Sequence, residues 1–183
     1  MLDKLVKQTI HVSLFVQIIT TLISFDGFSK QLLPTDEILK DILLIETVVQ
    51  LVEGFFYVWI IYALKDLNKM TSRRYFDWTI TTPIMLLSTI IYFKYTELKE
   101  KKNIQPFTPK EFYKTNKENI QKIFIYNGLM LLFGFLGETN MIPKQISIPI
   151  GFYFFYQSFN LIYYEYAIKS YLGKQLFSIL LVL

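Results

Sequence analysis

The sequence predicts an all-α membrane protein, and two observations support this prediction. Hydrophobic residues make up 52% of the 183 positions and charged residues only 19%, whereas a soluble domain usually carries about 25% charged residues. Five separate stretches are each long and apolar enough to form a helix across a bilayer, which takes about 20 residues. We therefore expect a single bundle of membrane helices over residues 1–183.

The predicted spans follow one another in chain order, mostly with short connections. Their expected ranges are residues 6–25, 42–64, 75–93, 123–142 and 146–168, followed by a partial sixth span over residues 176–183. The first apolar run follows Lys4 and Lys7, but it is too long for the apolar core of a signal peptide and lacks a small-residue cleavage site. It is therefore predicted to remain as a membrane span.

One connection, residues 94–122, is longer and holds eight lysines. Because loops on the cytoplasmic side of membrane proteins are enriched in Lys and Arg, this linker is predicted to be cytoplasmic. Three spans precede it, so the amino terminus of this multi-pass integral membrane protein is expected outside. Within the linker, Thr108, Pro109 and Glu111 form a helix-start signal, in which Thr is the N-cap and Glu reaches back from the N3 position.

The composition also excludes several kinds of chemistry. With no cysteine and one histidine, the chain cannot form disulfides, thiolate metal sites, a cysteine nucleophile or a His-rich metal cluster. It has no nucleophile and base set, phosphate-binding loop or metal-ligand spacing. We therefore expect no enzyme activity and no bound metal. The net charge of +4 is explained by lysines beside membrane spans, so nucleic-acid binding is not expected.

Each of the first three spans carries polar residues at steps of three and four, which lie on one side of a helix. Polar side chains are costly at membrane depth, so these stripes should face the bundle interior or a wet cavity. Hydrogen bonding between helices is the alternative explanation. The stripes are Thr9, Ser13, Gln17, Thr20 and Ser24, then Glu46, Gln50, Glu53 and Tyr57, then Arg74, Asp77, Thr81 and Ser88.

The carboxylates of the second span favour a functional explanation. Glu53 lies near the middle of its span, where a carboxylate is an expensive way to join two helices. We therefore predict an ion path between the first three spans, lined by Ser13, Gln17, Glu46, Gln50, Glu53 and Ser88.

A charged pair is expected at the outer end of the third span. Arg74 precedes Asp77 by about one turn, so its guanidinium should lie close to the carboxylate and keep it charged at neutral pH. A buried anion of this kind implies a buried cation beside it. An ordinary satisfied ion pair is the alternative.

Residues 74–83 have the pattern R-Y-x-D-W-x-x-T-x-P, which resembles the third-helix signature of microbial rhodopsins. Residues 130–138 resemble the fourth helix of proteorhodopsins, and residues 162–166 resemble the end of their fifth. The resemblance implies a seven-transmembrane, rhodopsin-like helical bundle in a lipid bilayer. It also implies a retinal chromophore bound to a lysine as a protonated Schiff base.

The resemblance implies a role for residues at matching positions. Asp77 would be the counterion and primary proton acceptor, with Arg74 and Thr81 beside it. The side chains expected near the retinal are Trp78, Thr82, Met130, Gly134 and Tyr57. Taken singly, each of these apolar and aromatic positions could equally belong to an ordinary core.

Two features depart from the family pattern. Ser88 stands where proton pumps place the carboxylate that serves as cytoplasmic proton donor, and a hydroxyl cannot replace that acid at neutral pH. This favours a channel or a sensor, similar to the channel-type rhodopsins of large algal viruses. The family's retinal lysine lies on a seventh helix, and we expect that helix and most of the sixth to be missing from this sequence. The alternative is a five-helix protein that binds no covalent retinal.

The leading hypothesis is therefore a retinal-based, light-gated cation channel whose path runs along the first three spans. The alternatives within the family are a light-driven proton pump and a sensory rhodopsin. From a different class, a structural membrane protein without photoactivity is the remaining alternative. The expected partners are the lipid bilayer, retinal, and cations or protons, with a homo-oligomer as an open alternative.

Overall fold

The computed structural model describes the backbone of residues 2–62, 67–102 and 105–182, and the side chains of residues 8–59, 71–102 and 105–182. Within these ranges, every regular element is helical, which confirms the predicted all-α fold class. The helices are α1 (Leu2–Ser29), α2 (Ile38–Tyr62), α3 (Leu67–Glu100), α4 (Pro109–Thr115), α5 (Lys117–Glu138), α6 (Lys144–Glu165) and α7 (Tyr171–Val182). Short 3-10 turns precede α2 at Pro34–Asp36 and α7 at Ala167–Lys169.

Four segments of the described chain are helical, long and apolar enough to cross a membrane: Gln8–Ser29, Pro34–Trp59, Thr71–Glu100 and Lys117–Glu138. The predicted fifth span corresponds to α6, which does not meet the same hydropathy requirement. Its 22 residues would reach about 33 Å, so its length is sufficient. Four tyrosines and several amide and hydroxyl side chains lower its mean hydropathy. The partial sixth span corresponds to α7, a 12-residue apolar helix.

Most helices extend past the predicted apolar stretches, because helical structure continues into their polar flanks. The third span, predicted over residues 75–93, lies within a 34-residue helix. The predicted end of the second span, residue 64, lies outside the described residues. By contrast, α5 ends at Glu138, before the expected residue 142. The backbone turns there because Asn140 has a φ of 57° and Pro143 is the N-cap of α6.

The Lys-rich segment of residues 94–122 is largely helical, since it contains the end of α3, all of α4 and the beginning of α5. The predicted helix start is confirmed at α4. The Thr108 side chain accepts a hydrogen bond from the Glu111 N–H at 3.3 Å, and the Glu111 carboxylate accepts one from the Thr108 N–H at 2.9 Å. That backbone donor holds the pKa of Glu111 below its ordinary value, because it stabilises the charged form.

The interior is centred on α3, which packs against α2, α5 and the beginning of α7. The α5 and α6 helices pack along each other and approach closely at Gly137, where a methyl group would lie 2.7 Å from Cβ of Ser147. Small residues of this kind let membrane helices come together. The most deeply buried large side chains belong to α3, α5 and α6 and are Ile90, Ile91, Phe93, Ile120, Ile123 and Ile162.

Polar contacts join the ends of α3 and α7. The Thr96 and Ser170 hydroxyls, both buried, lie 2.9 Å apart, and Ser170 Oγ also accepts the Gly173 N–H at 2.9 Å. The Glu100 carboxylate accepts the backbone N–H groups of Tyr171 at 2.8 Å and Leu172 at 2.9 Å. These bonds satisfy amides at the start of α7 that have no partner within the helix.

Candidate functional site

The polar stripe of α1 mostly faces the neighbouring helices, while its apolar side faces outwards. Ser24 is only 5% exposed, whereas Leu22 and Ile23 are 63% and 65% exposed. Thr9, near the start of the stripe, is an exception because it is exposed. On the surface of a soluble protein, the polar side of a helix is exposed and the apolar side is buried. The opposite arrangement of α1 suits a helix whose outer side contacts lipid.

An open cavity of about 420 Å³ lies between α1 and α2 and reaches Met85 of α3. Gln17 Nε2 donates a hydrogen bond to Glu53 Oε2 at 2.6 Å. Farther along, the Thr21 and Ser24 hydroxyls donate to Gln50 Oε1 at 3.5 Å and 3.4 Å. The cavity brings together seven residues singled out from the sequence: Ser13, Gln17, Thr20, Glu46, Gln50, Glu53 and Tyr57.

Ser88 lies outside this cavity but next to it. Its hydroxyl is hydrogen-bonded to Oε1 of Glu46. Both residues line a second cavity of about 330 Å³, which lies between α2, α3 and α7. Glu46 also lines the first cavity. The six residues predicted for an ion path therefore surround two cavities that share the Glu46 side chain.

Asp77 is buried on α3, with 7% of its surface exposed. Among the described residues, its Oδ1 atom has no hydrogen-bond partner, which is rare for a buried carboxylate oxygen. The Thr81 hydroxyl, one turn later, donates to the Asp77 backbone carbonyl at 3.1 Å. The carboxylate of Glu53, on α2, interacts electrostatically with that of Asp77, so α2 and α3 each bring an acid to this region.

Arg74 does not form the expected close pair with Asp77. Its Nη2 atom lies 3.8 Å from Oε2 of Glu138, and no salt bridge with Asp77 occurs among the described side chains. The Arg74 guanidinium carbon also lies 4.9 Å from the centre of the Trp78 ring. Because α5 ends beside the outer part of α3, it offers a half-exposed carboxylate, and pairing there costs less desolvation than pairing with a buried Asp.

The positions matched to retinal contacts lie around α3 and α5. Met130 and Gly134 line a third cavity of about 400 Å³, together with Tyr75 and residues of α6. A methyl group at Gly134 would lie 2.8 Å from the Tyr75 hydroxyl oxygen. The Tyr75 ring is held between Trp78 and Phe135, at centroid distances of 5.3 Å and 5.4 Å.

Two other positions from the same set lie elsewhere. Thr82, on α3, does not line this third cavity; its hydroxyl donates to the Trp78 carbonyl at 2.7 Å. Tyr57 lies with Glu53 in the cavity between α1 and α2. The structure therefore separates Tyr57 from Met130 and Gly134.

Asn127 is a buried polar residue that the sequence analysis missed. It is 4% exposed, and its Nδ2 atom donates to the Thr82 hydroxyl at 2.7 Å. This bond ties the middle of α5 to the middle of α3. An amide one turn before Met130, within an otherwise apolar run, is the signal that could have identified it.

No group of three or more histidine, aspartate or glutamate side chains could hold a metal ion within the part of the chain that the structure describes. The acids at membrane depth instead contact amides and hydroxyls, as Glu53 contacts Gln17 and Glu46 contacts Ser88. This arrangement can hold water, protons or monovalent cations rather than a tightly bound metal.

Comparisons with known proteins agree with the helical membrane fold. A family model described as "Bacteriorhodopsin-like protein" matches residues 8–183. The crystal structure of viral rhodopsin OLPVRII is similar, with a TM-score of 0.70 and 26% sequence identity over 86% of this chain and 69% of that chain. No curated protein sequence matches this chain significantly. Since the family model covers nearly the whole sequence, the chain belongs to the bacteriorhodopsin-like family of retinal photoreceptor membrane proteins.

Proposed function

We propose that this protein is a light-gated cation channel whose path runs along α1, α2 and α3. The observation that carries the proposal is the open cavity between α1 and α2, which is lined by two carboxylates and several neutral polar groups. Carboxylates lining a pore attract cations, and amide and hydroxyl oxygens can replace part of a cation's hydration shell. Apolar helix packing alone gives no reason for such a lining.

The residues around Asp77 fit a retinal chromophore. Its buried Oδ1 atom has no partner among the described residues, and a cation beside it would satisfy that oxygen. At Gly134, the absence of a side chain lets the Tyr75 hydroxyl approach closely, and both residues line the cavity of about 400 Å³. Retinal supplies light absorption and isomerisation when bound, and the residues proposed to hold it are Asp77, Trp78, Thr82, Met130 and Gly134.

Glu53 is proposed to connect the retinal-binding region around Asp77 with the ion path between α1 and α2. Its carboxylate accepts from Gln17 in the cavity and interacts electrostatically with Asp77. Two carboxylates in a low-dielectric region repel each other strongly. Proton uptake at Asp77 would remove that repulsion, so that Glu53 could hold a cation beside Gln17 at lower cost.

The substitution Glu53→Gln in the complete gene product tests the proposal, because it keeps the side-chain shape and removes the charge. We expect light-evoked cation current to fall by about tenfold, with a shifted reversal potential, because the carboxylate that attracts cations to the path is lost. Whole-cell recording after addition of all-trans retinal measures both quantities.

A matched control is Glu165→Gln on α6. Glu165 is half-exposed and lies 3.8 Å from Lys169, outside the cavities lined by Glu46 and Glu53. Its current should equal that of the unmodified protein. Unchanged current and selectivity in Glu53→Gln would contradict the proposed path.

A light-driven proton pump is the second candidate, and the contact between Glu46 and Ser88 favours it. Ser88 stands where pumps of the family carry their donor acid, so a carboxyl group from α2 lies beside that position. If Glu46 donates the proton, Glu46→Gln should slow reprotonation by about 10²-fold or more. A photocurrent that does not reverse at the cation equilibrium potential would select the pump over the channel.

A further inference from the structure

The short helix α4 has one side fixed to the bundle and the other exposed. Phe112 is only 4% exposed, and its ring packs against those of Phe107 and Tyr166, at centroid distances of 6.2 Å and 5.9 Å. Lys110 and Lys114, by contrast, are exposed. The aromatic contacts therefore fix which side of α4 faces away from the protein.

The lysines between residues 94 and 122 fall into two groups. Four form salt bridges with acids of the same chain: Lys94 and Lys101 with Glu97, Lys99 with Asp36, and Lys122 with Glu118. The other four, Lys102, Lys110, Lys114 and Lys117, are exposed, and none forms a salt bridge within the described ranges. The last three of these belong to α4 and the beginning of α5. Glu111 interacts with Lys114 electrostatically but forms no salt bridge with it, and its carboxylate accepts a hydrogen bond from the Thr108 N–H instead.

These three lysines form a compact basic stripe. They follow one another at steps of four and three, and Tyr113, which is 37% exposed, precedes Lys114. Only Asn116 separates the end of α4 from the beginning of α5. Three unneutralised ammonium groups therefore lie within about two turns of chain, beside an exposed tyrosine.

The stripe lies at the start of a candidate membrane span. Lys117 is the first residue of the segment Lys117–Glu138, which is long and apolar enough to cross a bilayer. Residues at the start of such a span are expected near the headgroup layer, which is about 5–8 Å thick on each side of the hydrocarbon. Tyrosine is enriched at the same level of a membrane.

We propose that this basic stripe, Lys110, Lys114 and Lys117, binds the phosphate groups of anionic phospholipids in the surrounding bilayer. The ammonium groups supply the attraction to phosphate, and Tyr113 lies where an interfacial aromatic side chain contacts the headgroups. The paired lysines of the same region contribute less, because nearby carboxylates cancel their charge. The stripe is independent of the cavities along α1 to α3, so this inference does not depend on the proposed channel.

The test compares two triple variants of the full chain in detergent micelles that contain phosphatidylglycerol or phosphatidylcholine with the same acyl chains. The first variant is Lys110→Gln, Lys114→Gln and Lys117→Gln. The control is Lys30→Gln, Lys122→Gln and Lys169→Gln, which removes the same charge from lysines already paired with acids. Native mass spectrometry counts the phosphatidylglycerol molecules retained by each protein.

Since each lysine near an anionic surface adds appreciable attraction, we expect the first variant to lose phosphatidylglycerol affinity by about tenfold or more, and the control to lose far less. Replacing the same three lysines with arginine should preserve binding, which separates loss of charge from loss of folding. Circular dichroism checks that all variants remain helical.

Several results would overturn the proposal. Equal losses in both triple variants would mean that only net charge matters, and no loss in the first would mean that the stripe does not bind lipid. Displacement of phosphatidylglycerol by inorganic phosphate at matched ionic strength would indicate a site for soluble anions. Tighter binding of a labelled oligonucleotide than of phosphatidylglycerol would indicate a nucleic-acid surface.

Discussion

The pair formed by α1 and α2 differs from the body formed by α3, α5 and α6 in how its helices are held together. In the most apolar 18 residues of each candidate membrane segment, 6% of the residues are buried in α1 and 17% in α2, compared with 33% in α3 and 28% in α5. The pair is joined by side-chain hydrogen bonds around an open cavity, such as the one from Gln17 to Glu53. The body is joined by close packing, as at Gly137 and Ser147.

The difference follows from the solvent. Lipid tails are as apolar as leucine, so apolar contact alone does not bring membrane helices together. Hydrogen bonds between polar side chains and close approach at small residues are two separate ways to do so. The first leaves room for water and ions, whereas the second fixes the positions of the packed side chains, as the proposed retinal site requires. The two regions are therefore suited to different parts of one function.

The largest expected effect is that of Asp77→Asn, which tests whether proton acceptance belongs to the body. Asparagine keeps the shape but cannot take a proton, and a positioned acid or base contributes about 10²–10⁴-fold to proton transfer. We expect light-induced proton transfer to slow by about 10²-fold or more, as measured by time-resolved absorption of the complete gene product.

Asp26→Asn is the matched control for that experiment. Asp26 is exposed and pairs with Lys30 at 3.0 Å, so its loss should leave the proton-transfer rate unchanged. If Asp77→Asn transferred protons as fast as the unmodified protein, Asp77 would not be the proton acceptor.

The next effect tests close packing in the body. Gly137→Ala places a methyl group 2.7 Å from Cβ of Ser147, an atom close to the α6 backbone that cannot rotate away. Overpacking of this kind costs about 1–3 kcal/mol. The free energy of unfolding of the full chain in detergent, measured by denaturant titration, should fall by that amount.

Gly128→Ala is the control on the same helix, because nothing lies within 4 Å of the added methyl group. It should be neutral or stabilise by up to about 1 kcal/mol, since alanine is the better helix former. Equal destabilisation by both substitutions would show that helix α5 tolerates no alanine, rather than that Gly137 is special.

The smallest effect is expected in the pair. Gly27→Ala also brings a methyl group to 2.7 Å from another atom, but that atom is Cδ2 of Leu43, the end of a flexible side chain. A rotamer change of Leu43 should relieve the contact, at a cost of about 0.5–1.5 kcal/mol at most. The same unfolding measurement checks it. A loss as large as that of Gly137→Ala would mean that the pair is packed as rigidly as the body.

Local patterns in the sequence were sufficient for much of the fold and of the site. The capping residues Thr108 and Glu111 are three positions apart, and the signature around Asp77 lies within one helix, so neither depends on distant parts of the chain. The inward orientation of Gln17 and Glu53 also followed from helical spacing, because a polar stripe in lipid has one energetically acceptable direction.

Contacts between distant helices could not be predicted in the same way. Arg74 lies near Asp77 in sequence, yet its partner is Glu138, because the pairing depends on where α5 ends relative to α3. The bond from Asn127 to Thr82 likewise requires the register of two helices. The span predicted over residues 146–168 corresponds to α6, and its assignment as a membrane span stays a prediction.

The length of α3 and the position of Pro83 determine how far its end would move if the helix bent. Its 34 residues extend over about 51 Å, well beyond the hydrocarbon thickness of about 30 Å. Pro83 lies inside the helix and has no N–H to donate to the preceding turn, which makes this point easier to bend. A bend at Pro83 would therefore change the direction of the following residues, up to Glu100, relative to Asp77.

The part of α3 from Pro83 to Glu100 measures about 25 Å, so a bend of about 5° at Pro83 would displace Glu100 by about 2 Å. The Glu100 carboxylate accepts hydrogen bonds from the first amides of α7, so a bend of this size at Pro83 would also move the beginning of α7.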